Sequence, residues 1–163
     1  MSIDFTKVKP EMFDECARVI RNSFITVATE FNLTKDNAPT NPAFIEVDSL
    51  NRMYQKNIEM FAVHQDDVCI GFVAIEKFNF EIYYMEKLAI LPEYRHRGIG
   101  RITMDFVVSG VRDKGGKVIS IGIIDENTIL KNWYISYGFV EIETKKYSHL
   151  PFTVCVMEKR VQN

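Results

Sequence analysis

The sequence lacks any long apolar run. No stretch approaches the roughly 20 apolar residues that a membrane-spanning helix needs. The opening segment MSIDFTKVKPEM carries a charge every few positions, where a secretory signal would have an apolar core. These absences predict a protein without a membrane segment, and we expect it to be soluble and cytoplasmic.

An excess of charge of either sign is also missing. The 163 residues include 20 basic and 22 acidic side chains, which gives a formal net charge of -2. No global field attracts nucleic acid or an anionic membrane surface, so we expect neither as a partner. Basic character is local, and it is concentrated around one glycine-containing turn.

Cysteine is scarce. Cys16, Cys69 and Cys155 are odd in number, far apart and set in apolar surroundings. This pattern predicts three buried, reduced thiols instead of a disulfide framework. The histidines form no ligand-spaced cluster with one another or with cysteine, so the spacing predicts no metal site.

The hydrophobic pattern predicts one domain, residues 1–163, of the α/β class. A length of 163 residues with 47% hydrophobic content suits a single core. Periods of two and of 3.6 residues alternate along the chain. They predict, in order, a strand at 3–8, helices at 11–30 and 42–57, strands at 60–64, 68–77 and 82–91, a helix from 99 to the glycines at 115–116, a strand at 117–124, a helix at 128–137, and strands at 139–147 and 153–161.

The segment from Glu86 to Arg101, EKLAILPEYRHRGIGR, joins a strand to a helix through a tight turn. Pro92 stops the strand, and the turn reads R-x-x-G-x-G. Gly98 and Gly100 have no Cβ, so the turn can bring several backbone N–H groups together. The positive end of the following helix dipole adds to them, which predicts a site for a phosphate or pyrophosphate.

The glycine turn has two other interpretations. The spacing alone is compatible with a plain turn that needs two flexible residues. A dinucleotide-binding turn also joins a strand to a helix through glycines, but the third small position of G-x-G-x-x-G is Thr103 here. The arginines at 95, 97 and 101 favour phosphate binding over both.

Two motifs resemble those of the GNAT acetyltransferase superfamily. The run L-x-I-x-P-x-x-R-x-x-G-x-G resembles the acyl-coenzyme A motif of that family, and a downstream N-x(6)-Y-x(3)-G-F resembles a second one. Their order and separation match the family as well. The residues that carry the two motifs are Leu88, Ile90, Pro92, Arg95, Gly98 and Gly100, then Asn127, Tyr134, Gly138 and Phe139.

The resemblance implies a fold and a cosubstrate. The fold is the GNAT fold, a mixed and mostly antiparallel sheet flanked by helices. The strands at 82–91 and 117–124 are expected to run parallel and to splay apart at one end, which opens a slot for the pantetheine arm of acetyl-CoA. The implied acetyl-CoA-binding residues are Leu88, Ala89, Ile90, Arg95, His96, Arg97, Gly98, Ile99, Gly100, Arg101 and Asn127.

The resemblance also implies two catalytic residues. Tyr134 falls on the position of the family's thiolate-protonating tyrosine, with Tyr137 ranked behind it. The aromatic residues of this short segment could equally serve only to pack. Glu86 lies in an apolar strand, where on a period of two it shares a face with Tyr84 and Leu88. Its carboxylate is either paired structurally or placed to take a proton from an amine.

Two function classes remain open at this point. The first is an acetyl-CoA-dependent N-acetyltransferase that acts on a primary amine of a small molecule or a protein. The second is a non-catalytic acyl-CoA-binding or regulatory module of the same fold. Glu30 and Asp36, near the loop at 32–42, favour a cationic acceptor or are ordinary solvated charges. The resemblance also allows a homodimer.

Overall fold

A seven-stranded mixed sheet organises the chain, in a computed structural model that describes residues 2–161. The spatial order is β1-β2-β3-β4-β5-β7-β6, and only the pair of β4 and β5 is parallel. The strands are β1 (Ile3–Lys7), β2 (Glu59–Gln65), β3 (Val68–Lys77), β4 (Ile82–Ile90), β5 (Val118–Ile124), β6 (Val140–Lys146) and β7 (Thr153–Arg160).

Four helices cover the sheet in the described part of the chain. They are α1 (Phe13–Glu30), α2 (Val47–Gln55), α3 (Ile99–Asp113) and α4 (Thr128–Tyr137), with short 3₁₀ turns at Pro10–Met12, Pro42–Phe44 and Pro92–Tyr94. Within residues 2–161, none of the helices has both the length and the apolar character that crossing a membrane requires.

The apolar side chains form a core on each face of the sheet. Phe72 of β3 packs in one core with side chains of α1 and α2, such as Ile20 and Leu50. The next residue, Val73, packs in the other core with α3 and α4, whose members include Met104. Alternate residues of a strand point to opposite faces, so the continuous apolar run of β3 reflects burial on both sides.

The predicted order of elements and the fold class are confirmed, but one predicted helix is wrong. Residues 42–57 do not form a single helix. The Asn41 side chain accepts a hydrogen bond from the Ala43 N–H and caps a 3₁₀ turn that closes at Phe44. Ile45 and Glu46 are then extended, with ψ of 140° and 160°. The extended backbone buries Ile45 in the core beneath α1, and helix α2 begins only at Val47.

The parallel strands β4 and β5 stay together for only three residues. Ile82, Tyr83 and Tyr84 pair with residues 118–120, and no pairing joins the two strands beyond that point. From Met85 onward β4 therefore diverges from β5. The gap that opens between them has the position expected for the slot between these two strands.

The three cysteines are buried and free of disulfides, as the sequence predicted. Cys16 lies in α1, Cys69 at the start of β3, and Cys155 in β7. The first two belong to the same core cluster.

We expect Gly71→Ala to destabilise the fold, because a Cβ on this residue of β3 would lie 2.5 Å from the backbone oxygen of Ala89. Overpacking of this kind costs about 1–3 kcal/mol. The melting temperature should fall by about 2–4 °C for each kcal/mol.

Gly110→Ala is the matched control. This glycine lies within α3, and an added Cβ would meet nothing within 4 Å. Replacing a helical glycine by alanine should stabilise the protein by about 0.5–1 kcal/mol. Equal stability of the two variants would contradict the close approach of β3 to β4.

Candidate functional site

The glycine turn ends in an uncapped helix. Gly98 is the N-cap of α3, with φ of 80° and no side-chain cap, and His96 before it also has a positive φ of 63°. The first intrahelical hydrogen bond runs from the Ile102 N–H to the Gly98 oxygen, at 3.1 Å. The N–H groups of residues 99–101 thus have no acceptor within the helix, and together with the dipole they can bind an anion.

The Arg95 side chain anchors this turn to α1. Its Nε donates to the Ile90 oxygen at 3.1 Å. Nη1 donates to Thr26 Oγ1 at 3.1 Å and Nη2 to the Ser23 oxygen at 2.5 Å. Burial lowers the pKa of Arg95, but a guanidinium stays charged at neutral pH. Arg95 therefore holds the loop in place through its side chain, and its own role toward a phosphate stays a prediction.

Arg97 and Arg101 are the exposed cations of the turn. The Arg97 guanidinium lies 5.4 Å from the ring centre of Tyr94, and that of Arg101 lies 5.2 Å from the ring centre of Tyr137. Stacking on a ring restricts each side chain without using all of its N–H donors. The two arginines therefore keep positive charge beside the free N–H groups of α3.

A cavity of about 440 Å³ occupies the gap between β4 and β5. Its floor is formed by the diverging ends of the two strands, residues 85–88 and 121–124. Phe24 and Val27 of α1 and Phe152, just before β7, form much of the wall. Residues 38 and 40–42 of the loop after α1 line it as well, so this loop reaches the cavity.

A β-bulge at Lys87 shapes the cavity side of β4. Ala74 pairs with Glu86 and Phe72 with Ala89, so Val73 opposes two residues of β4 instead of one. Lys87 takes a positive φ of 54°. A bulge inserts one extra residue and reverses the alternation beyond it.

The bulge corrects one expectation about Glu86. A period of two placed Glu86 and Leu88 on the same face. Leu88 instead packs against the core under α3, together with Met85. Because the alternation is interrupted at Lys87, the carboxylate is separated from that core and lines the cavity.

The Glu86 carboxyl is partly desolvated. Its side chain is 32% exposed, and Lys87 Nζ lies 3.8 Å from Oε2. Burial raises the pKa of Glu86, Lys87 opposes this rise, and the nearby carboxylate of Glu76 adds to it. The net direction is upward, which is the change that a carboxylate needs to accept a proton near neutral pH.

Tyr134 lines the same cavity as Glu86. It is 5% exposed and packs edge-on against Phe139 and Trp133, at ring-centre distances of 5.2 and 5.1 Å. Within residues 2–161, no hydrogen bond from its hydroxyl contributes to its pKa, and burial is the single cause that acts on it. Burial raises the pKa of Tyr134, so the phenol keeps its proton at neutral pH. Its O–H is available as a donor to a group in the cavity.

Tyr137 has a different environment. Its hydroxyl donates to the Asp105 carboxylate, and its ring stacks on Trp133 at 6.3 Å. It does not line the cavity. The Tyr137 side chain therefore links α4 to α3. This contact distinguishes Tyr137 from Tyr134 more clearly than the sequence alone did.

Several other predicted residues have identifiable positions. Asn127 lies at the cavity edge, where its Oδ1 accepts from the Leu130 N–H at 3.2 Å and caps α4. Ala89 is buried beyond the bulge. Glu30 and Asp36 are exposed and do not line the cavity. They therefore behave as solvated charges.

The sequence missed the residues that form the cavity wall. Phe24, Val27 and Phe152 come from segments far apart in the chain, and their apolar character alone indicates only burial. Lys87 was missed as well, because a bulge leaves no clear signal in a run of strand-forming residues.

The family comparison agrees with the resemblance that the two motifs indicated. Residues 27–139 match the model described as the acetyltransferase (GNAT) family. No curated protein sequence matches the chain.

Solved structures share the fold at low sequence identity. The ribosomal-protein-S18-alanine N-acetyltransferase of Escherichia coli is 11% identical, with a TM-score of 0.79 over 99% of this chain and 96% of that one. The PaiA N-acetyltransferase of Thermoplasma acidophilum, in complex with coenzyme A, is 21% identical, with a TM-score of 0.75 over 98% and 99%. A GNAT family acetyltransferase of Elizabethkingia anophelis with acetyl-CoA bound is 18% identical, with a TM-score of 0.60 over 69% and 82%.

Proposed function

The chain belongs to the GNAT acetyltransferase family, and we propose that it transfers the acetyl group of acetyl-CoA directly to a primary amine of a small molecule or a protein. The observation that carries the proposal is that Glu86 and Tyr134, from a strand and a helix distant in sequence, line one cavity where β4 and β5 diverge.

The chain's residues fit acetyl-CoA. The N–H groups of residues 99–101, with Arg97 and Arg101 beside them, suit a pyrophosphate. A Cβ on Gly98 would meet nothing within 4 Å, so the surface above the turn is open to a ligand. The unpaired part of β4, which includes Leu88, offers a strand edge to the amides of a pantetheine arm. Bound acetyl-CoA supplies the activated thioester.

Glu86 and Tyr134 handle the protons of the transfer. A protonated amine cannot attack, so the amine first loses one proton to Glu86, directly or through water, and Glu86 passes it to solvent. As the new C–N bond forms, the nitrogen gives a second proton to the Glu86 carboxylate. As the C–S bond breaks, the Tyr134 hydroxyl donates its proton to the sulfur, and the tyrosine recovers a proton from solvent. Neutral tyrosine and ionised glutamate are therefore the active forms.

The side chains that line the cavity limit which acceptor amines can bind. Apart from Glu86 and Lys87, the side chains that face the amine site are mainly apolar, including Phe24, Val27 and Phe152. This composition supports an amine carried on a partly apolar stem. Small amines and protein amino groups both meet that description, and one of the similar structures is named for an alanine of a ribosomal protein.

A panel of amines tests the proposal as a whole. Thermal shift should show stabilisation by acetyl-CoA, and release of free thiol should accelerate with at least one amine. Stabilisation without turnover on any amine would leave the second function class, a non-catalytic acyl-CoA-binding module, as the correct one.

We expect Gly98→Asp to abolish acetyl-CoA binding in isothermal titration. The new carboxylate would lie at the N-terminus of α3, where the free N–H groups and the dipole otherwise receive the pyrophosphate. The pyrophosphate would then be repelled by the aspartate carboxylate, which carries a charge of the same sign.

Gly115→Asp is the matched control at the opposite end of α3. Its φ of 82° is close to the 80° of Gly98, and a Cβ there would also meet nothing within 4 Å. The backbone strain is thus the same, while the substitution lies far from the turn. Wild-type affinity in a folded Gly98→Asp variant would remove the glycine turn from acetyl-CoA binding.

Glu86→Gln should slow transfer by about 10² to 10⁴ and leave acetyl-CoA affinity unchanged. The pKa of Glu86 is raised by burial, so the reactive carboxylate is lost as the pH falls through that elevated value. The wild-type rate should therefore decline on the acid side, and the variant should lack this decline. A variant with the wild-type rate and the same pH profile would return Glu86 to a structural role.

Tyr134→Phe should slow transfer by between a few-fold and about 10³ with little change in melting temperature. No hydrogen bond from the hydroxyl contributes to its pKa within the described part of the chain, so its removal leaves no partner unpaired.

Tyr137→Phe provides the contrast. It removes a hydrogen bond to Asp105 and should cost about 1 kcal/mol of stability without slowing transfer. Rates and melting temperatures of the two variants, measured with the same amine, separate the roles. A fully active Tyr134→Phe would exclude the tyrosine from proton transfer.

A further inference from the structure

A second group of polar side chains converges away from the cavity between β4 and β5. Glu15 near the start of α1, His64 at the end of β2 and Cys69 at the start of β3 each offer one ligand atom, and these atoms lie within 4.8 Å of one another. They come from three separate elements, so their spacing along the chain predicted no metal site.

The hairpin between β2 and β3 sets two of the three positions. His64 and Cys69 are directly opposite in the antiparallel ladder, immediately after a register shift between Val63 and His64. Opposed residues of a ladder bring their Cβ atoms to about 4.5–5.5 Å. Val63 belongs to the cluster of Ile70 and Ile99, whereas Cys69 belongs to the core under α1. As opposed residues, His64 and Cys69 have their side chains on the same face of the hairpin.

The surroundings of the cluster hold the side chains while leaving an entry path. Cys69 is 5% exposed, and its Sγ lies 3.7 Å from the Gly71 oxygen. Thr6 Oγ1 lies 3.5 Å from His64 Nδ1, a contact of the kind that orients a ligating imidazole. Glu15 is exposed, so the cluster is reached from solvent.

A second thiol lies beside the first. Cys16 follows Glu15 in α1, is fully buried and belongs to the same core cluster as Cys69. The cluster therefore combines a carboxylate, an imidazole and a thiol, with another thiol adjacent. This donor set suits zinc, which binds sulfur, nitrogen and oxygen in tetrahedral geometry.

We propose that Glu15, His64 and Cys69 bind a zinc ion that ties α1 to the hairpin of β2 and β3. The fourth position is filled by water or by the Cys16 thiol. The other end of α1 carries Phe24 and Val27, which line the cavity. The ion would therefore fix the helix that forms part of the proposed acceptor wall.

The chain contains its own control cluster. Asp125, Glu141 and Cys155 also bring ligand atoms within 4.8 Å of one another. There a cation is already present, since Lys131 Nζ contacts Asp125 and lies 3.0 Å from Glu141. An ammonium in that position leaves no place for a metal ion, so this group should not bind zinc.

Cobalt substitution tests the proposal on the reduced full-length chain. Titration with Co²⁺ should produce a sulfur-to-cobalt charge-transfer band and the intense visible absorption of a tetrahedral ion, and Zn²⁺ should abolish both. Zinc near 100 times its dissociation constant should raise the melting temperature by about 5–10 °C. These readouts do not depend on acetyl transfer.

Variants assign the ligands. Cys69→Ser should lose the charge-transfer band, or part of its intensity if Cys16 is the fourth ligand, and Cys155→Ser should keep the band in full. Glu15 is exposed, so Glu15→Gln should fold normally while weakening the binding of both metals. A decrease of the band in Cys16→Ser identifies the fourth ligand as this thiol, and an unchanged band identifies it as water. No band in the wild type, or a band lost in Cys155→Ser and kept in Cys69→Ser, would overturn the proposal.

Discussion

The backbones of β4 and β5 share pairing only at residues 82–84 of β4, and beyond them each strand leaves one edge without a neighbour. Unpaired backbone groups inside a protein cost free energy unless something satisfies them. The sheet tolerates the gap because each strand is held on its other side. β3 pairs along β4 to Ile90, and β7 pairs with β5 from Val118 to Ile124. The open edges of both strands are thereby held in position.

Conformational strain in β4 is confined to one residue of the same region. Lys87 adopts a left-handed conformation that is unfavourable for a residue with a long side chain. Its effect is to separate Glu86 from the face on which Leu88 packs. A regular strand would place both residues on one face. The bulge instead lets Leu88 pack against the core under α3 while the partly desolvated carboxyl of Glu86 lies on the other face.

Local patterns in the sequence predicted the elements and the turn well, because periodicity and glycine act over short distances. The extended break at Ile45 was missed, since burial of that side chain depends on contacts with α1 that no local window contains. The role of the Arg95 side chain was missed for the same reason, because its acceptors Ser23 and Thr26 lie about 70 positions earlier. Motif spacing ranked Tyr134 ahead of Tyr137 as the candidate acid, and the fold distinguishes the two residues by the hydrogen bond from Tyr137 to Asp105.

The guanidinium of Arg95 also bears on where the folding unit begins. The family model starts at residue 27, whereas two of the three acceptors of this guanidinium, Ser23 and Thr26, lie before it. A chain shortened to the matched segment would lose two of the three hydrogen bonds that hold the Arg95 side chain. It would also lose Ile20 from the centre of one core. The segment that matches the family model is therefore shorter than the segment that the fold needs for its stability. The second segment extends further toward the N-terminus.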